Sequence, residues 1–120
     1  MTAFEIKTGL ETGIVSCCVF GFLPDDEAEQ LATALFEAVS AARRNNMPLR
    51  LLFDNRQGAV FSAKAAEALV VLKGNYDERD RTAVLVSNSI NKLQAKRTAG
   101  RGTEIFLSES AAITWLKAWD

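Results

Sequence analysis

The chain has 120 residues, 24% of them charged, and a formal net charge of −1. That length predicts one domain burying roughly two-thirds of the surface its unfolded form exposes, with no need of a metal or disulfide staple. Near-neutral charge argues against a general nucleic-acid binder, and the lack of histidine removes the commonest general base and the usual zinc ligand.

The two cysteines, Cys17 and Cys18, are adjacent. On a strand they point to opposite faces and cannot jointly clamp a metal. Two reduced thiols are the default inside a cell. The N-terminus shows no basic and apolar signal segment, and no apolar run is long enough to span a bilayer. We expect a cytoplasmic protein without a cofactor.

Phe4-Glu5-Ile6-Lys7 alternates as a half-exposed strand does. Turn residues around Gly9 and Gly13 lead into residues 14–22, an apolar run rich in β-formers and read as a second strand. Their short connection predicts an antiparallel hairpin. Leu23-Pro24-Asp25-Asp26-Glu27 is a helix start. Asp25 is a candidate cap, and the acidic first turn suits the positive end of the helix dipole. Ala28, Leu31, Ala32, Leu35, Val39 and Ala42 repeat at helical spacing. Asn45-Asn46-Met47-Pro48 stops that helix.

Leu49, Leu51, Leu52 and Phe53 form a short apolar run suited to a strand covered on both faces. Asp54, Asn55, Arg56 and Gln57 then offer a carboxylate, a guanidinium and two amides, and Gly58 permits a backbone conformation that a Cβ disfavours. Val60 and Phe61 are odd residues for a solvated loop. They read either as core tucked under the next helix or as part of a docking surface. Ser62 is placed as an N-cap of a helix through Ala65, Ala66, Ala68, Leu69 and Leu72, with Gly74 as its stop.

Residues 75–81 read as a charged, solvated connector. Residues 82–86 are another buried strand. Ser87, Asn88 and Ser89 are three candidate caps before a helix over residues 90–99, and Gly100-Arg101-Gly102 ends it. Glu104-Ile105-Phe106-Leu107 is the last strand. Ser108 caps a final helix with Ala112, Trp115, Leu116 and Trp119 on one stripe.

The order ββαβαβαβα predicts an α/β fold: an N-terminal antiparallel β-hairpin, then β-α units in a mixed, mostly parallel sheet. Each intervening helix demands a crossover, so the last four strands run parallel. Ligands of such sheets sit beyond the carboxyl ends of the strands.

This order of elements, Leu51-Leu52-Phe53-Asp54 and the ending from Glu104 to Leu116 resemble the STAS superfamily, more closely its small bacterial anti-sigma-factor-antagonist-like branch, often grouped with CRAL-TRIO lipid-binding domains. In signalling members the helix after the central loop opens with an Asp, a phosphorylatable Ser or Thr, a small residue and Gly. With Asp54 matched to the family's strand-end Asp, Ser62 falls at the second Asp and Ala63 at the phosphoacceptor. A slip of one residue makes Ser62 the acceptor, but Lys64 and Ala65 still supply no Gly. The resemblance therefore implies an interaction module without the family's phosphoswitch.

Two polar turns carry the candidate site: Asp54, Asn55, Arg56, Gly58, Val60, Phe61, Ser62 and Lys64 at one, and Ser87, Asn88, Ser89 and Lys92 at the other. The first reads as a partner-binding loop or as an Asp54–Arg56 pair finishing a strand. The second reads as an anion site with Lys92 and Lys96 nearby or as a redundant cap. Lys92, Lys96, Arg97 and Arg101 form a basic cluster fit for an acidic partner, a phosphate or an anionic lipid, or simply a solvated face. No Ser or Cys has a visible base partner, so no catalytic residue is expected. The leading reading is a protein-binding module; the alternative is a lipid or nucleotide sensor or carrier. Trp119 and an apolar strand near an edge also raise a homodimer.

Overall fold

The computed structural model describes residues 4–8, 13–57, 60, 61, 63, 64, 67, 74, 76–98, 100 and 102–118. Its elements run β1 (Phe4–Thr8), β2 (Ile14–Val19), β3 (Phe22–Leu23), α1 (Asp25–Arg44), β4 (Arg50–Asp54), β5 (Val60–Phe61), β6 (Arg81–Leu85), α2 (Ser89–Thr98), β7 (Thr103–Phe106) and α3 (Glu109–Lys117). The main sheet has the order β1-β2-β4-β6-β7. β1 is antiparallel to β2, and β2, β4, β6 and β7 are mutually parallel, as the element order predicts.

Alternation along each strand assigns the two faces. Val15, Cys17 and Val19 of β2 join Leu51 and Phe53 of β4 under α1, which contributes Ala28, Leu31, Leu35 and Val39. The intervening residues Ile14, Leu52, Ala83 and Leu85 meet Ala112 and Leu116 of α3 on the other face. β4 is buried on both faces, which is why Leu51, Leu52 and Phe53 follow one another without polar alternation. Fully burying one such Leu or Val contributes about 1.5–3 kcal/mol.

Three expectations need correcting. The strand expected over residues 14–22 ends at Val19. Gly21 adopts φ +66, a left-handed conformation that glycine takes without a Cβ clash, and it turns the chain away. Phe22-Leu23 then form a separate strand, paired in parallel with Val60-Phe61. The odd apolar pair in the central loop is therefore the second half of a two-stranded sheet. Secondly, Asp25 is not the cap of α1. Pro24 occupies that position with no side-chain hydrogen bond, and Asp25, Asp26 and Glu27 form the acidic first turn. Proline lacks a side-chain cap acceptor, and the acidic first turn suits the positive end of the helix dipole here.

Thirdly, the connector before β6 is not simply solvated. Asp80 is 1% exposed. Its Oδ1 accepts from Leu49 N–H at 2.7 Å and Arg43 Nη1 at 3.2 Å. Its Oδ2 accepts from Arg43 Nη2 at 2.5 Å and Asp77 N–H at 2.8 Å. One carboxylate thus ties the end of α1 to the entries of β4 and β6. Arg50, also buried, donates to Arg79 O at 2.6 Å.

The helix expected to start at Ser62 falls mostly outside the described residues, as do Gly58, Ser62 itself and Trp119. Its described members Ala63, Lys64 and Glu67 are helical. Among the described residues, no helix is long and apolar enough to cross a membrane.

Candidate functional site

Parallel strands deliver their following turns to one edge. Cys18 stands opposite Asp54, Asp54 opposite Leu85, and Leu85 opposite Phe106. The segments after β2, β4, β6 and β7 therefore leave the sheet at a common rim. Asn55 N–H donates to Leu85 O at 2.9 Å and Val86 N–H to Phe106 O at 3.0 Å, carrying the ladder to its last rung. The two predicted polar turns, at Asp54 and at Ser87, are brought to the same side.

At the first turn Asp54 and Arg56 are paired. Asp54 Oδ1 accepts from Arg56 N–H at 3.1 Å and Nε at 3.0 Å, and Oδ2 accepts from Nη2 at 2.8 Å. The same Nη2 reaches Glu109 Oε1 at 3.0 Å, in the first turn of α3. Arg56 therefore links the end of β4 to the start of the last helix. Its guanidinium holds the Asp54 carboxyl below the usual carboxylate range, and the carboxylate in turn raises Arg56. Across the ladder the Cys18 thiol is raised, by burial first and by the Asp54 charge second. Cys17, on the other face, is fully buried and pushed up to about 12 by desolvation.

At the second turn Asn88 is the helix cap, its Oδ1 accepting from Asn91 N–H at 2.8 Å. Ser87 Oγ accepts from Asn91 Nδ2 at 3.5 Å. Ser89 opens α2, and Lys92 N–H donates to Asn88 O at 3.0 Å. Lys64 is not drawn to this turn. Its ammonium pairs with Glu29 of α1. Of the basic cluster, Lys92 is half-buried and Lys96 exposed on α2, while Arg101 lies outside the described residues.

Sequence reasoning offered Val60 and Phe61 as an apolar docking surface and overlooked other apolar residues of the rim. Phe20 and Phe22 follow β2, Ile90 and Leu93 lie in the first turns of α2, and Leu107 follows β7. All five stay exposed, from 41% for Phe20 to 69% for Ile90. Ile90 and Leu93 sit three apart, a helical spacing that resembles a core stripe, so only burial reveals that nothing in the described chain covers them. Glu109 was overlooked as a rim charge, although an acid directly after the Ser108 cap is an ordinary first-turn signal.

A shallow depression of about 310 Å³ lies at the opposite edge, lined by Asp77, Glu78, Arg81 and Gly102. Among the described residues no group of three or more His, Cys, Asp or Glu side chains is placed to hold a metal ion.

No protein-family model matches the sequence, and no curated protein matches it significantly. Solved structures do match. One is an uncharacterised DUF3478-family protein with a SpoIIAA-like fold from Shewanella loihica PV-4. It is 19% identical with a TM-score of 0.69, over 95% of this chain and 92% of that one. Another is the anti-sigma factor antagonist SpoIIAA in its unphosphorylated form, 16% identical with a TM-score of 0.68, over 95% of this chain and 97% of that one. At such identities the likeness establishes architecture: this chain has the SpoIIAA-like, STAS-type fold that its sequence resembles.

Proposed function

We propose that this chain is a non-enzymatic interaction module of the STAS type and that a protein partner docks on the rim at the carboxyl ends of the strands. One observation carries the reading. The rim's central charges are committed to one another, Asp54 and Glu109 to Arg56, while five large apolar side chains along the same edge are left exposed. A carboxylate held ionised by a guanidinium is a poor proton shuttle at neutral pH. An apolar edge around a polar centre whose groups pair with one another, two carboxylates on one guanidinium, is the kind of surface that marks an interaction site. SpoIIAA, which shares the fold, is an antagonist of an anti-sigma factor, and action on a protein is the kind of role proposed here.

The phosphoswitch is not part of the proposal. In the register that matches Asp54 to the family's strand-end Asp, Ala63 stands at the phosphoacceptor and carries no hydroxyl. Mass spectrometry of the protein recovered from its own cells, with phosphate found on Ser62, overturns that point.

Photo-cross-linking in its own cell lysate tests the docking surface. Phe22→Asp, Ile90→Asp and Leu107→Asp each reduce capture of the partner by about tenfold or more, as loss of an interface anchor does. Phe36→Asp is the control. It is as exposed as Leu107, both at 47%, but lies eleven residues into α1, about 16 Å from the start of that helix. Equal capture by all four variants and the unaltered protein refutes the rim.

A further inference from the structure

We infer that β1 is the contact strand of a homodimer in which two copies continue one another's sheet. β1 ends the sheet, and all five of its residues pair with β2 in an unbroken register. Its outer edge is a row of backbone donors and acceptors that meets no strand among the described residues. Natural edges of this kind are blunted by proline, by a bulge or by charge that repels a second strand. β1 has no proline and no bulge, and its charges do not repel a second copy.

Those charges are Glu5 and Lys7, two residues apart on one face, both exposed and paired within the strand at 3.0 Å. Between them stands Ile6. Set two copies antiparallel with Ile6 opposite Ile6. Glu5 of each strand then faces Lys7 of the other, and Phe4 faces Thr8. Slide the register by two residues either way and Glu5 meets Glu5, or Lys7 meets Lys7. The pattern therefore selects a single register, the one with complementary charges at both cross-strand positions. The opposite edge of the sheet has no such code: β7 carries Glu104 with no cation among its four residues.

In that register α1 of both copies lies on the same side of the joined sheet, because directly opposed residues of antiparallel strands point to the same face. The contact is made along the strand edge, while the rim lies at the strand ends, so the homodimer and the partner reading stand or fall separately.

Light scattering over a dilution series tests it. The mass rises with concentration toward twice the 13.1 kDa of the chain. Glu5→Lys alone, or Lys7→Glu alone, places like charges at both cross-strand contacts and raises the dissociation constant about tenfold. The double variant Glu5→Lys/Lys7→Glu restores complementarity and returns the constant to within about threefold of the unaltered value. It also keeps an opposite-charge pair within the strand, so it serves as the folding control. Hydrogen exchange gives a second readout on the unaltered chain, the outward-facing β1 amides being protected at high concentration and released on dilution. A mass of 13.1 kDa at every concentration overturns the inference. So does a dimer whose constant the single reversals leave unchanged, or β1 amides whose exchange ignores concentration.

Discussion

Replacing Asp80 by alanine removes the acceptor at the centre of the strand-entry edge. Leu49 N–H and Asp77 N–H lose their acceptor, and both terminal nitrogens of Arg43 lose this carboxylate, Nη1 keeping the Asp77 carboxylate at 3.6 Å. Breaking a buried ion pair by deleting one member costs about 3–5 kcal/mol. Each buried N–H left without an acceptor costs about 1–3 kcal/mol. Arg43 is 31% exposed and regains water, which keeps the total near the lower figures, about 3–5 kcal/mol in all. Asparagine keeps one acceptor oxygen and loses the charge, so Asp80→Asn costs about half as much. A domain this size has about 5–15 kcal/mol in total, so the alanine variant gives up a large share. Urea titration at pH 7 followed by circular dichroism measures both. The expected order is unaltered, then Asn, then Ala, with the Ala melting point lower by about 10–20 °C. A loss under about 1 kcal/mol for Ala, or Ala no worse than Asn, refutes the reasoning.

The same carboxyl predicts a pH dependence. Burial opposes its ionisation, but the donors from Arg43, Leu49 and Asp77 outweigh burial and hold it below its ordinary value of 3.8. A depressed acid contributes stability that is present above the unfolded value and lost as pH falls through the folded one. The stability gap between the unaltered protein and Asp80→Asn is therefore widest above about 3.8 and narrows under it. A gap that stays constant down to pH 2 contradicts the assignment.

Gly102→Ala destabilises the fold by about 1–3 kcal/mol in the same titration, since Gly102 sits at φ +79 and a Cβ would lie 2.8 Å from Asp80 O. Arg56→Ala changes stability by less than about 1 kcal/mol, because Arg56 and Glu109 are 42% and 51% exposed, yet it raises the Asp54 pKa toward the usual carboxylate range in a carbon-detected NMR titration. Labelling at pH 8 with a thiol reagent modifies Cys18 slowly in the folded protein and Cys17 only in denaturant. Full exclusion is expected for Cys17, which is both buried and raised to about 12.

The sheet was legible because its signals are local. A run such as Leu51-Leu52-Phe53 between Pro48 and Asp54 has one good solution in an α/β chain, and the helices between such runs force parallel pairing. The break in β2 was less legible because Phe20 and Phe22 have strong β propensity. Gly21 decides the outcome through a single backbone angle that propensity does not encode. Val60 and Phe61 resisted assignment for a related reason. Their partner, Phe22-Leu23, lies nearly forty residues away, and a two-residue strand has no periodicity of its own. Asp80 was misread because its neighbours Asp77, Glu78, Arg79 and Arg81 make the segment look uniformly solvated. Only the return of α1, which sets Arg43 beside it, distinguishes the buried acid from the exposed ones.

The two edges of the sheet use similar residues to different ends, and exposure makes the difference. At the strand entries Asp80 is sealed from water and accepts four hydrogen bonds, so the fold depends on its charge. At the strand exits Arg56 is 42% exposed, and water weakens each of its pairs. Covering the rim would exclude that water. The Asp54–Arg56–Glu109 contacts would then strengthen, although two carboxylates share one guanidinium and leave one negative charge in excess. A partner for this edge needs apolar shape to meet Phe22, Ile90 and Leu107 and one donor or cation for the surplus carboxylate, and the charged centre adds a cost against surfaces that leave it half covered.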